Sequence, residues 1–371
     1  MELSSFSSQK FRFWSFVSMA LLVFVHGYNL DIRYLQPWTL PGESLTFTGF
    51  TEYFLANGIF RFRIPMLFII SGFLYAMHDQ KPNKQRINKR LRTLLVPYLL
   101  WSAIGLLLVF ILEQFVFTKA IVAGTHMMQM DEARVFLSDY RWYEVVRRWI
   151  FFPVPYQLWF IRVLLIYNLA YPLIRWCVLN RIGRPIFFSI VGLMWLGTMG
   201  FGLVEGEGLL FFSLGVWMQK TNFNIDSPSR WFSPRGWGAL FVMFAAIKTV
   251  LAFVGQQYLG DAVYPIITLM HKLVVLSGLI ACWYGLNSLV GWCMQQRWFV
   301  WLSAFSFIIY ALHAPLVAFA IDSALVVAQG NHMAVFVALP LVILAFCIGV
   351  GWMLRATFPT FYSLLTGGRG F

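Results

Sequence analysis

Apolar runs long enough to cross a bilayer recur along the whole chain. A hydrocarbon core about 30 Å thick is spanned by roughly 17 to 25 residues of helix, and about ten segments approach that length. They are 13–30, 60–78, 94–113, 157–175, 185–203, 207–219, 236–255, 263–287, 298–321 and 333–355, the sixth being short. Composition agrees: 60% of the 371 residues are hydrophobic, 19% aromatic and only 12% charged. A water-soluble domain of this size has no room to hide so much apolar surface. The first run has no small-residue cleavage site after it and carries His26, so it reads as a retained span rather than a signal peptide. No fixed-period repeat or low-complexity linker divides the chain. The expectation is one all-α domain over 1–371, a polytopic transmembrane bundle of about ten helices.

The formal net charge is +13. The basic residues lie in short loops between apolar runs, where positive charge reports orientation rather than nucleic-acid binding. With ten spans, Lys10, Arg12, the 81–92 loop, Arg175, Arg181, Arg184, Lys220, Arg230, Arg235, Arg297, Arg355 and Arg369 fall on one side. The opposite loops are acidic or neutral, Asp31, Glu43, Glu52, Glu205, Glu207, Asp261 and Asp322 among them, apart from a mixed-charge loop at 114–156. Both termini are therefore expected in the cytoplasm. Within that mixed loop, "SDYRWYEVVRRWIFF" at 138–152 reads as an interfacial amphipathic helix capped by Ser138 or Asp139. The four cysteines form no CxxC pair and no Cys/His cluster at metal-ligand spacing, so neither a disulfide framework nor a metal site is expected.

Ionisable side chains are costly in hydrocarbon and usually mark a cavity or a partner. His26 lies 14 residues beyond Arg12, hence roughly 20 Å along the helix. His313 lies 15 residues beyond Trp298 in another run of the same direction, so the two imidazoles can face each other. Each could equally be a neutral ring hydrogen-bonded to a neighbouring helix. Arg12, Arg61, Arg63, Ser71, Gly72, Trp159, Arg162 and Tyr310, several of them at a similar level in their own spans, are candidate substrate-binding residues. An imidazole takes a proton from a hydroxyl, and arginines hold an anion or a developing oxyanion. Lys248 and Lys272 also fall within spans, where pairing with Glu205, Glu207 or Asp261 competes with any direct role. Pro315, two residues after His313, frees a carbonyl near 311 and offers the imidazole a local polar neighbour.

Six segments in this order, "SMALLVFVHGYNL", "IPMLFIISGFLYA", "NKRLRTLLVPYLLW", "YQLWFIRVLLI", "LLFFSLGVWMQK" and "SFIIYALHAPL", followed by "TGGRG", resemble the acyltransferase 3 family of membrane acyltransferases. The subgroup most similar modifies surface polysaccharides and their lipid-linked precursors. The resemblance implies about ten transmembrane helices and transfer of an acyl group, commonly acetyl from acetyl-CoA, to a carbohydrate hydroxyl. It implies a catalytic role for His26 and His313, a second-helix Ser-Gly at Ser71 and Gly72, and a donor-binding cluster at Lys89, Arg90 and Arg92. Many members carry an arginine where this chain has Ser15, with Arg12 nearly one turn earlier. Positions three apart share a helix face, so Arg12 is the expected substitute. Many also carry an acidic residue at the place of Val163.

The expected function is thus O-acyl transfer in a bacterial inner membrane, with acyl-CoA as co-substrate, a carbohydrate or glycolipid acceptor, and no permanently bound cofactor or metal. His26 acts as general base or carries the acyl group transiently. The competing expectation is a transporter or flippase of lipid-linked sugar whose pathway the same polar groups line.

Overall fold

The computed structural model describes residues 3–28, 36–125, 134–201 and 203–370. The end of the first expected span and acidic Asp31 lie outside them. Helix α1 (Ser5–Gly27) starts where the Ser4 hydroxyl accepts the Ser7 N–H at 2.9 Å. A continuous helical path then runs from Phe47 to Ala76. Within it α2 (Phe47–Tyr53) passes through a π turn (Phe54–Gly58) and a 3-10 turn (Ile59–Phe62) into α3 (Arg63–Ala76). A second π turn, Leu91–Leu95, joins α4 (Asn83–Arg90) to α5 (Val96–Leu112), whose second residue is Pro97. Such turns interrupt the backbone ladder and leave carbonyls for side chains to bind.

Beyond the short α6 (Val116–Thr125), the amphipathic segment forms α7 (Trp142–Phe151). Its expected cap is replaced. The Glu144 carboxylate accepts the Arg141 N–H at 2.9 Å, while Asp139 accepts the N–H groups of Val135 and Phe136 in the preceding turn. Helix α7 is fastened to α5, since Ser102 and Tyr98 donate to the carbonyls of Trp149 and Ile150, and Trp149 Nε1 donates to Leu99. Trp142, Tyr143 and Val146 stay exposed on the other face, as an interfacial helix requires.

The chain then breaks more often than the sequence pattern suggested. Helices α8 (Trp159–Leu169), α9 (Tyr171–Leu179) and α10 (Gly183–Leu196) follow in close succession. Pro172 opens α9, and α9 and α10 meet at 118° where Asn180 Oδ1 accepts the Ile182 and Gly183 N–H groups. The Gly/Glu turn folds as a two-stranded antiparallel ladder of β1 (Gly200–Phe201) and β2 (Val204–Glu205), a small exception to the all-α expectation. Then come α11 (Gly206–Lys220), α12 (Pro234–Leu259), α13 (Val263–Gly285), α14 (Asn287–Gln295), α15 (Arg297–Ser303), α16 (Ser306–Val327), α17 (His332–Thr357) and α18 (Pro359–Thr366). Helices α12 and α13 fold back on each other at Gly260, whose φ of +53° suits glycine. A Cβ on Gly278 would lie 2.6 Å from the Phe241 ring, which fixes the pair as antiparallel.

By length and apolar composition, five helical stretches among the described residues can cross a membrane, and up to seven if two sharply bent pairs each count as one. The protein is therefore helical and multi-pass. The expected fourth span, 157–175, is divided between α8 and α9 at Pro172, while the expected fifth and sixth form α10 and α11, of 14 and 15 residues, on either side of the β turn. Helices α3 and α11 cross backbone to backbone. A Cβ on Gly72 would sit 2.0 Å from the Phe212 carbonyl oxygen, and one on Gly215 2.1 Å from that of Ile69. Small residues at a crossing let helices approach this closely.

Candidate active site

Helices α1 and α16 pack together and bring the two histidines into contact, with ring centroids 5.3 Å apart. His26 borders a cavity of about 560 Å³ whose mouth is formed by exposed Gln36, Thr198, Gly200 and Glu205. The Tyr156 hydroxyl lies 2.8 Å from His26 Nδ1. Tyr156 is aimed there by the 55° bend between α7 and the helix that follows.

His313 stands behind His26, fully buried and away from the cavity wall. Its Nδ1 lies 2.8 Å from the Ile309 carbonyl and 2.9 Å from that of Tyr310. Both partners are acceptors, so Nδ1 carries the proton and Nε2 presents a lone pair. Nε2 is buried with no hydrogen-bond partner. The carbonyl freed by Pro315 is not the neighbour of the imidazole. Gln157 Nε2 donates to Ala311 at 2.9 Å instead, and Tyr310 donates its hydroxyl back to the Gln157 carbonyl at 2.6 Å.

The first π turn anchors the cationic wall through Asn57. Asn57 donates to the Tyr28 hydroxyl at 2.9 Å, and its carbonyl receives Lys248 Nζ at 2.5 Å. Arg61 donates to Asn57 Oδ1, and Arg63 to the Phe60 carbonyl at 2.7 Å. Arg61 and Arg63 line the large cavity together with His271 and Lys272 of α13. Lys272 lies 5.1 Å over the Trp195 ring, whose Nε1 donates to Glu207.

A second cavity of about 240 Å³ lies on the other side of Phe160 and Tyr310, which border both. Its polar groups include Ser15, Ser71, Arg90, Asn168 and Arg369. Proline again sets one of them, because Pro97 cannot donate to Thr93, four residues earlier. Arg369 Nη1 takes that carbonyl at 3.0 Å. Below it Arg86 and Arg90 stack on Tyr75, and Arg86 also on Tyr171. The Tyr171 hydroxyl donates to Asp79, which also receives Lys220 and Arg175 at 2.6 and 2.8 Å. Burial opposes the Asp79 charge, but those two cations prevail and hold its carboxyl below the usual range.

The family described as an acyltransferase domain matches residues 13–355. The chain belongs to the acyltransferase 3 family. It is therefore a multi-pass membrane acyltransferase. It is similar to the succinoglycan biosynthesis protein ExoH of Rhizobium meliloti (strain 1021). The two are 23% identical over 354 residues, covering 94% of this chain and 89% of that protein. No solved structure matches.

The structure gathers this acyltransferase's sequence candidates unevenly. His26, Arg61, Arg63, Trp159 and Tyr310 line the large cavity; Ser71, Arg90 and again Tyr310 line the small one. Lys89 and Arg92 are exposed. Arg12 does not reach inward as expected, because its guanidinium binds Ser303 Oγ and the Val300 carbonyl at 2.7 and 2.6 Å. Arg162 donates to the Phe151 carbonyl and lines neither cavity. Gly72 serves the α3–α11 crossing. Sequence reasoning did not single out Tyr156, Gln157, His271 or Arg369 as site residues. Tyr156 and Gln157 flank the quoted "LWFIR", and Arg369 sits in "TGGRG", outside the matched residues 13–355.

Proposed function

We propose that this acyltransferase moves an acyl group, acetyl in the simplest case, from acyl-CoA to a hydroxyl of a surface polysaccharide or its lipid-linked precursor. One observation carries the reading: His26 stands at the wall of the larger cavity, held by Tyr156 and backed by His313, beside a second cavity that shares Phe160 and Tyr310. The relative named for succinoglycan biosynthesis supports a polysaccharide acceptor. The smaller cavity, with Arg90 and Arg369, takes the donor, and its acyl end reaches the larger one between Phe160 and Tyr310. The basic loops and both termini face the cytoplasm of an inner membrane, by the positive-inside rule.

In this reading His26 uses the tautomer whose Nδ1–H donates to the Tyr156 oxygen, so that Nε2 accepts the proton of the acceptor hydroxyl. The hydroxyl oxygen attacks the thioester carbonyl, Arg61 of the cavity wall stabilises the developing oxyanion, and the C–S bond breaks. The imidazolium returns its proton to the departing thiolate. His313 orients the pair without touching substrate. The test compares glycan and glycolipid mass spectra from cells lacking the gene and complemented with wild type or with His26→Gln. Loss of one acyl mass increment that only wild type restores is expected. Full restoration by His26→Gln refutes the base assignment, and unchanged glycans refute the acceptor class.

A further inference from the structure

Arg63 and Lys272 are each 4% exposed, and both border the larger cavity. Neither has a carboxylate within ion-pair distance among the described residues. Of the two cavity carboxylates, Glu207 accepts from Trp195 and acts on both cations only through space, without ion-pair contact, and Glu205 stands exposed at the mouth. Beside Lys272, the Nδ1 of buried His271 also lacks a hydrogen-bond partner. Burying a charge without a counter-charge is costly, and in a membrane protein it marks the place of a charged ligand. The cations come from two elements that pack together, the start of α3 and helix α13. They line the same cavity as His26 and Tyr156.

We infer that the acceptor is an anionic carbohydrate, whose carboxylate or phosphate docks between Arg63 and Lys272 while a hydroxyl is presented to His26. This deepens the acyl-transfer reading, which supplies the role of His26; the anion site itself stands on the unpaired cations. Two sources give the same chemistry, a carboxylate on an acidic sugar or the phosphate that links a sugar to its lipid. Trp159 and Trp195 on the cavity wall suit stacking against a sugar ring.

The experiment measures binding rather than turnover, with the full chain in lipid nanodiscs and three probes: a glucuronate-containing tetrasaccharide, a neutral glucose tetrasaccharide, and a short-chain prenyl diphosphate disaccharide. At least one anionic probe is expected to bind about tenfold or more tighter than the neutral one. That preference should vanish in Lys272→Met and Arg63→Gln and persist in Lys272→Arg. Tight binding of the glucuronate probe assigns the site to a carboxylate; tight binding of the prenyl probe alone assigns it to phosphate. Lys272→Met removes an unpaired buried charge, so without ligand it should melt no lower than wild type, which separates lost binding from lost folding. Equal binding of charged and neutral probes, failure of both anionic probes to bind, or a preference that survives Lys272→Met overturns the inference. Anion binding through Lys272 with no acyl transfer would sink the acyl-transfer reading and leave this one standing. Transfer to a neutral sugar without anion preference would do the reverse.

Discussion

The two cavities share Phe160 and Tyr310 yet differ in kind. The larger carries two imidazoles, a tyrosine bound to one of them, cations and two carboxylates under three tryptophans, Trp38, Trp159 and Trp195. The smaller has two arginines, Arg90 and Arg369, and no carboxylate, in largely apolar walls. A polar, aromatic chamber suits a sugar that must be oriented around one hydroxyl. A narrow apolar chamber with cations suits a thioester arm ending in phosphates. In the proposed function chemistry and donor capture are housed separately, and substitutions should separate turnover from donor affinity.

The largest effect tests the catalytic side. His26→Gln keeps a hydrogen-bonding amide but removes the base, and should lower kcat about 10²- to 10⁴-fold with probe binding retained; single-turnover transfer measures it. Next, Arg369→Gln should raise the KM for acyl-CoA about tenfold, steepest at low salt, and leave kcat within about twofold. If kcat falls and KM does not, the division between the cavities is wrong. Tyr156→Phe should lower kcat several-fold, on the order of the 1 kcal/mol of one hydrogen bond, without changing donor KM.

A smaller effect concerns the stack beneath the donor cavity. The lowered Asp79 carboxyl contributes stability that is fully present above its unfolded value, near pH 4. That contribution disappears as pH falls through the lowered native value. Asp79→Asn should therefore cost about 1 kcal/mol at neutral pH, once solvent screening is counted. The gap in melting temperature from wild type should close toward pH 3 or below. The smallest effect is expected for Arg12→Ala, which lines neither cavity and should change donor KM less than about twofold. A large donor defect there would restore Arg12 as the stand-in for the arginine missing at Ser15.

Depth arithmetic along helices was enough to pair His26 with His313, because rise per residue hardly depends on tertiary context. It also brought out Arg61 and Arg63, since charge in an apolar run is conspicuous. Rotation about a helix axis was not legible: in a run apolar on every side nothing in the letters says that His271 and Lys272 face the cavity, or that Gly72 faces a backbone. Nor was Arg369 legible as a site residue. Its place depends on a carbonyl released by Pro97, far away in sequence, and Gln157 finds Ala311 through Pro315 in the same way. Nor were the breaks at Pro172 and Asn180 legible, where apolar sequence is divided into short helices.

The crossing of α3 and α11 has a mechanical consequence. At Gly72 and Gly215 no side chain stands between the two backbones, so there is no cushion over which one helix could slide or roll. The pair behaves as a riveted plate carrying Arg63 at one end and Ser71 within it, one facing each cavity. An alanine at Gly72 would act as a wedge driven under the plate, tilting both chambers at once.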